Sequence, residues 1–194
     1  MKRFFDVVFS GAALIFVFPL FPILGLLIRL DSRGPVFFRQ QRVGLNGVPF
    51  MIYKFRTMEA GDAVHSGPKI TRLGRLLRNT SLDEIPQFIN VLKGEMSVVG
   101  PRPLFLDEVA TLSAQLPEFP KRHQVKPGIT GLVQVSDMRS KVSTLEEQRQ
   151  RLALDLGYVA AHSFAQDMII VLRTVWTVIA RYNVSVRTYP ESKQ

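Results

Sequence analysis

Between Val7 and Ile28 the chain carries no charge, and Phe, Leu, Ile and Val fill most of the run. A straight helix over it would reach about 33 Å at ~1.5 Å rise per residue, enough to cross a bilayer. Pro19 and Pro22 stand near its middle, where each removes a backbone donor and together they break or sharply kink a helix. Lys2 and Arg3 precede the run and Arg29 and Arg33 follow it, so the positive-inside tendency puts both flanks on the cytoplasmic side. No A-x-A-like cleavage site follows, which argues against a secretory signal. A kinked single-pass anchor and a re-entrant helical hairpin over residues 1–30 both satisfy the pattern, and these residues alone leave the two open.

After Asp31 the pattern turns polar and basic. Val36–Arg42 and Val48–Phe55 are rich in β-formers and flank Gly44-Leu45-Asn46-Gly47, which predicts a small β-hairpin with an Asn-Gly turn. Met58–Pro68 reads as a loop, and His65 within it as a solvent-facing residue rather than a catalytic one. Arg72, Arg75 and Arg78 recur every three residues, which on a helix brings them to roughly one face. A second helix is expected from Asp83 to a C-terminal stop at Gly94. Val98–Pro103 reads as an irregular turn and Lys121–Val135 as a loop. Ser143 or Thr144 caps a helix from Leu145 to about His162, with Glu146 and Glu147 in its first turn. The last helix, Gln166–Arg181, has an apolar stretch too short to span; an in-plane interfacial helix and an ordinary core helix fit it equally well.

Composition sharpens this picture. The 194 residues carry Lys+Arg 25 against Asp+Glu 16, a net charge of +9, with 46% hydrophobic residues; the mean hydropathy is nevertheless positive, at +0.12. That charge points to nucleic acid, an anionic membrane surface or a phosphate-rich substrate, and the apolar content excludes a disordered basic tail. Cys 0 excludes disulfides, thiolate zinc sites and thiol nucleophiles, and His 3 leaves little for a His-rich metal centre.

The candidate chemistry centres on Asp83-Glu84, an acidic pair in a basic stretch. Ser81-x-x-Glu84 matches a capping box, and Asp83 could itself be an N-cap with Pro86 three residues on, where its missing N–H costs nothing. The functional alternative is a carboxylate kept ionised by nearby cations, able to attack phosphorus or to hold Mg²⁺ with substrate phosphates, with Glu84 removing a proton from an acceptor. Lys54, Arg56, the Arg72/Arg75/Arg78 face and Arg102 are the candidate phosphate binders.

Thr71–Pro103 (TRLGRLLRNTSLDEIPQFINVLKGEMSVVGPRP), with FRQQRVG, YKFRTM, KPGITGLVQV and LDLGYV in order around it, resembles the bacterial sugar transferase family, the small monotopic phosphoglycosyl transferases. The resemblance implies an α+β, mainly helical fold: a re-entrant membrane hairpin over residues 1–30, then a cytosolic catalytic domain over 31–194 with a small β-hairpin and interfacial amphipathic helices. It implies transfer of a sugar 1-phosphate from a UDP-sugar to undecaprenyl phosphate, with release of UMP. The reaction would be ping-pong and Mg²⁺-dependent, with Asp83 as nucleophile and Mg²⁺ ligand and Glu84 assisting the acceptor. Arg102 would bind phosphate, and Lys54, Arg56, Arg78, Lys126, Pro127, Gly128, Thr130, Gln134 and Asp155 would shape the substrate site. The implied location is the cytoplasmic face of a bacterial inner membrane, on anionic lipid. A second copy of the chain and downstream glycosyltransferases are further partners the resemblance allows; nucleic acid is not among them. The chain is expected to be the family's minimal catalytic core. It departs from the family at Phe18, where Ser usually precedes the proline, at Lys126, where Arg is common, at Leu132-Val133, where an aromatic is frequent, and across Ser136–Arg139. The competing readings are a membrane-tethered nucleic-acid-binding protein, motivated by charge alone, and a noncatalytic scaffold.

Overall fold

The computed structural model describes residues 1–59, 69–139 and 144–187, the last of these helical to Arg187. The uncharged run forms two helices, α1 (Lys2–Val17) and α2 (Leu20–Asp31), bent by 62° at the Phe18–Pro19 break. Among the described residues no single helix is long and apolar enough to cross a membrane; only this bent pair passes by length and composition together. Around the bend Ile15, Phe16, Phe18, Leu20 and Ile23 are exposed, and farther along α2 so are Leu26 and Leu30. Both ends of the pair, in contrast, are fastened to the same body. Lys2 Nζ donates to Asp167 (2.6 Å), the Val99 carbonyl and the Tyr158 hydroxyl, and buried Asp6 accepts from Ser97 Oγ and the Val98 N–H. Arg3 donates to the Val91 and Leu92 carbonyls at the C-terminal end of the later helix over Gln87–Lys93, where a cation also suits the helix dipole.

At the other end, Arg56 donates to the carbonyls of Ile28, Ser32 and Arg33. Those oxygens lie at and just beyond the C-terminal end of α2, where the Ile28 carbonyl also accepts from the Ser32 N–H. Both terminal nitrogens of Arg56, an expected phosphate binder, therefore donate to backbone, while its Nε is buried without a partner. Arg56→Met should cost roughly 2 kcal/mol through the lost charged hydrogen bonds, read as a drop in thermal midpoint of about 4–8 °C.

The predicted hairpin forms from β1 (Phe37–Val43) and β2 (Pro49–Phe55), antiparallel, with Phe37 opposite Phe55 and Val43 opposite Pro49. Asn46 and Gly47 take positive φ (53° and 79°), the conformation an Asn-Gly turn supplies. Helix α3 (Arg72–Thr80) starts on Thr71, whose Oγ1 accepts from the Gly74 N–H. Gly74 lies so close to the Thr57 backbone that any Cβ there would clash. The glycine thus lets α3 dock on the end of the YKFRTM strand.

Ser81 then turns the chain in the left-handed region (φ 58°) into a 3-10 turn over Leu82–Glu84, and α4 (Gln87–Lys93) begins only after Pro86. The helix expected from Asp83 therefore starts later than its sequence pattern indicates. It stops where expected, at Gly94 with φ 83°. Val98–Pro103 and Lys121–Val135 are not merely loops: β3 (Ser97–Val99) pairs in parallel with β4 (Gly128–Thr130). Between them run α5 (Leu106–Gln115) and a 3-10 turn over Phe119–Gln124. Helix α6 (Leu145–Ala161) carries the expected cap, with Thr144 Oγ1 accepting from the Glu147 N–H and Glu147 returning to the Thr144 N–H.

Helix α7 (Phe164–Arg187) carries apolar residues on both a buried and an exposed face. Ile170 is buried in the core, whereas Ile169, Leu172, Val175 and Trp176 are exposed. The main core joins Phe50 and Ile52 of β2, Val91 and Met96, Val98 and Val99 of β3, Tyr158 of α6 and Ile170, with Phe5 and Phe9 of α1 packed on it.

Candidate active site

A cavity of about 1720 Å³ opens between the hairpin, the 3-10 turn, the Pro-Arg-Pro segment and helices α5–α7. It is larger than the usual pocket for one small ligand. Asp83 and Glu84 line it together with Lys54, Arg56, Arg78, Arg102, Thr130, Gln134 and Asp155.

The two carboxylates have opposite surroundings. Glu84 Oε1 accepts from Lys54 Nζ at 2.6 Å and from Arg102 Nη2 at 2.9 Å. Burial would raise its pKa, but the charges of Arg102 and Lys54 and their hydrogen bonds hold it down at about 2. Glu84 is thus a fixed anion bridging β2 to the Pro-Arg-Pro segment, and it does not reach back to Ser81. Ser81 sits in the left-handed region with no side-chain cap, so the capping box expected from the spacing is absent. Asp83 is only 8% exposed, and among the described residues nothing donates a hydrogen bond to its carboxylate. Burial first, then the Glu84 charge, push its pKa up to about 6 against the pull of Lys54, Arg78 and Arg102. Adjacent residues on one 3-10 turn therefore differ sharply: one carboxylate is neutralised by two cations, the other is open to the cavity.

The cations are themselves positioned. Arg78 Nε donates to Thr57 Oγ1 at 2.9 Å, so the Gly74 contact that docks α3 also sets Arg78. Arg72 and Arg75 do not line the cavity, and of the expected arginine face only Arg78 reaches it. Behind Arg102, its carbonyl accepts from Arg122 Nη2 at 3.0 Å, and Arg122 is ion-paired to buried Asp155 through Nε (2.9 Å) and Nη2 (2.7 Å). Asp155, expected at the substrate site, lines it but acts on Arg102 through Arg122. Asn90, wholly buried, ties α4 to β2 by accepting from the Tyr53 N–H and donating to the Met51 carbonyl, which holds the strand that carries Lys54.

The Lys126–Thr130 segment divides. Gly100 N–H donates to the Thr130 carbonyl and Gly128 N–H to the Pro101 carbonyl. Gly128, with Pro127 beside it, supports the Pro-Arg-Pro backbone from behind and does not line the cavity. Thr130 does line it, but its hydroxyl is held by Thr174: Thr174 donates to the Ile170 carbonyl, so Thr130 is the donor of that pair at 2.7 Å. Lys126 Nζ lies at the C-terminal end of α4, beside Gly94 and Arg3, and not in the cavity. Lys126, expected at the substrate site, thus stands at a helix end outside the cavity lining. Gln134 lines the cavity with both polar atoms of its amide buried and unpartnered. Ser136 folds back on the Val133 carbonyl, with the Met138 N–H donating to its hydroxyl. His65 lies outside the described residues.

Among the described residues no group of three or more His, Asp or Glu could hold a metal. The open Asp83 carboxylate nonetheless fits Mg²⁺, which takes one or two protein carboxylates and fills its remaining positions with phosphate oxygens and water. Sequence reasoning missed Arg122, Asn90 and Thr57. Thr57 and Asn90 lie inside quoted motifs, whereas Arg122 lies in none of them, and a buried pair such as Arg122–Asp155 has no fixed spacing.

The model of the bacterial sugar transferase family matches residues 1–181. A UDP-glucose:undecaprenyl-phosphate glucose-1-phosphate transferase of Caulobacter vibrioides is 43% identical over 94% of this chain and 71% of its own length. An enzyme of the same name from Escherichia coli is 40% identical over 91% of this chain, which spans only 39% of that relative. The exopolysaccharide production protein PSS of Rhizobium leguminosarum is 41% identical over 93% of this chain and 96% of its own length. With nearly the whole chain matched and its dyad and basic motifs converging on one cavity, the chain belongs to the bacterial sugar transferase family.

Proposed function

We propose that the chain transfers a sugar 1-phosphate from a UDP-sugar to undecaprenyl phosphate, releasing UMP, through a covalent phosphosugar on Asp83. The observation that carries this reading is the buried Asp83 carboxylate, free of hydrogen bonds among the described residues, in a cavity it shares with Lys54, Arg78 and Arg102. The names of the relatives support the donor and acceptor classes.

In the first half-reaction an Asp83 oxygen attacks the β-phosphorus of the donor. The bond from that phosphorus to the bridging oxygen breaks, and UMP leaves with its electron pair. Negative charge on the phosphoryl oxygens is met by Lys54, Arg78 and Arg102, which are already oriented and need no rearrangement. When bound, Mg²⁺ would neutralise part of the same charge, with Asp83 as its protein ligand. In the second half-reaction a phosphate oxygen of undecaprenyl phosphate attacks the same phosphorus, and the Asp83 carboxylate departs. A phosphate monoester with a second pKa of about 6 already offers an oxyanion at neutral pH, so this step needs no strong base. Glu84, held at about 2, is a poor proton acceptor. We therefore read it as the residue that positions Lys54 and Arg102, in place of the base expected from sequence.

Glu84→Gln should lower kcat/KM by roughly 10²–10³-fold, the scale of losing oriented charge stabilisation. UMP release measured without acceptor should fall as much as complete turnover, whereas a base acting on the acceptor would leave that first half intact.

The undecaprenyl-phosphate chemistry of the family implies association with a membrane. We read the bent α1–α2 pair as re-entrant from the cytoplasmic face, because both its ends dock on one body while the residues at its bend are exposed and apolar. The exposed face of α7 would rest in the same interface. The test of function is incubation of the full chain, in nanodiscs with Mg²⁺, with undecaprenyl phosphate and either UDP-glucose or UDP-N-acetylgalactosamine. Release of UMP matched by a lipid-linked sugar diphosphate is the expected result; no UMP from either donor would end this reading.

A further inference from the structure

Arg42, on β1, lines the same cavity, and nothing in the sequence motifs gave it a role. Its guanidinium lies flat on the Phe105 ring, 3.3 Å from the centroid, and its side chain is 14% exposed. A buried guanidinium needs short, well-aligned partners to offset the loss of water. Those of Arg42 are long: Nη1 to the Pro103 carbonyl at 3.4 Å and Nη2 to Gln40 Oε1 at 3.5 Å. Nε is buried without a partner. The nearest carboxylate, Glu108, stands 3.9 Å away, is half exposed, and already accepts from the Phe105 N–H. Burial and then the like charge of Arg102 lower the Arg42 pKa to about 10. Arg42 and Arg102 thus face the cavity that Arg78 also lines, and of these three guanidinium groups only Arg102 is hydrogen-bonded to Glu84.

We propose that Arg42 is a further substrate-binding residue, forming with Arg102 a fork for a phosphate group of one of the two substrates. An anion between them would supply the short partners Arg42 lacks and relieve its repulsion from Arg102. The planar guanidinium presents paired donors that match phosphate oxygens, and the Phe105 ring fixes its plane. The charges agree: nine Lys and Arg side chains line the cavity against five Asp and Glu, leaving a surplus of positive charge for the phosphates that must meet here. The phosphate could belong to the sugar nucleotide or to the polyprenyl acceptor, and the two are separable by experiment. The inference rests on the transferase reading of this cavity.

The test uses the full chain carrying Arg42→Met, Arg42→Lys or Glu108→Gln, with three readouts: the Kd for UDP, the KM for UDP-glucose and the KM for undecaprenyl phosphate. Arg42→Met should weaken binding of one phosphate substrate by roughly tenfold to hundredfold, the scale of charged hydrogen bonds. Arg42→Lys, which keeps charge but not the fork, should lose about tenfold. Glu108→Gln should leave all three constants within about twofold of wild type, as expected for a half-exposed ion pair. A change in Kd for UDP and KM for UDP-glucose assigns the fork to the donor; a change confined to undecaprenyl phosphate assigns it to the acceptor. Wild-type constants in a folded Arg42→Met would overturn the proposal. So would the same losses in Glu108→Gln, since Arg42 would then act by holding α5. If Arg42→Met does not fold, wild-type constants in Arg42→Lys overturn it instead. Failure of the wild-type chain to release UMP contradicts the transferase reading, whereas UDP binding by the variants reports on Arg42 alone.

Discussion

Asp83→Asn should abolish UMP release, by roughly 10⁴-fold or more, the scale seen when a covalent nucleophile is removed. The fold should survive, because the substitution is nearly isosteric and, among the described residues, the carboxylate receives no hydrogen bond. In metal-free buffer the thermal midpoint should rise, since an ionised carboxylate at 8% exposure, beside the negative Glu84, is itself unfavourable. Lost activity together with equal or higher stability is the signature of a group kept for chemistry. A capping aspartate would show the reverse, with stability falling by about 1 kcal/mol and activity largely kept. Turnover assays and thermal melts on the same preparation separate the two.

The second large effect is expected at a residue that touches no substrate. A Cβ on Gly128 would stand 2.6 Å from the Gly100 carbonyl oxygen and closer still to the Gly100 nitrogen and the Thr130 carbonyl oxygen. All three are backbone atoms that cannot swing aside, so Gly128→Ala must distort β4 itself and push it from the Gly100 backbone, and with it the segment that carries Arg102. A backbone shift of this kind costs about 3 kcal/mol or more, or roughly 6–12 °C in thermal midpoint for a chain of this size. Because the Gly128 N–H also holds the Pro101 carbonyl, activity should fall further than stability accounts for. Gly157→Ala is the control: its Cβ would meet nothing within 4 Å on α6, so it should stabilise by about 0.5–1 kcal/mol.

The features legible in the sequence were those decided locally or by dense motifs. Asn46-Gly47 specified the hairpin turn, Thr144 with Glu147 the start of α6, and Gly94 the end of α4, each by chemistry confined to a few residues. The dyad and its cations Lys54, Arg78 and Arg102 were legible because their motifs travel together, and they do meet in one cavity. What was not legible depended on distant partners. The β3–β4 pairing involves three residues on each strand, too few for any period, and it requires the close approach of Gly100 and Gly128. The Ser81–Glu84 spacing fits a capping box, but Glu84 finds two cations contributed by β2 and the Pro-Arg-Pro segment, and those outcompete a backbone N–H. Arg56 and Lys126 are basic residues within motifs that line or support the site, and the fold places both beside helix ends, which spacing along the chain does not reveal.

The central claim, that Asp83 carries the sugar phosphate between two half-reactions, is tested most directly by mass spectrometry of the chain incubated with UDP-glucose and Mg²⁺ in the absence of acceptor. A stoichiometric burst of UMP and a single hexose-phosphate adduct on the peptide containing Asp83, discharged when undecaprenyl phosphate is added, are the expected results. UMP release that requires both substrates at once, with no adduct on wild-type protein, would contradict it.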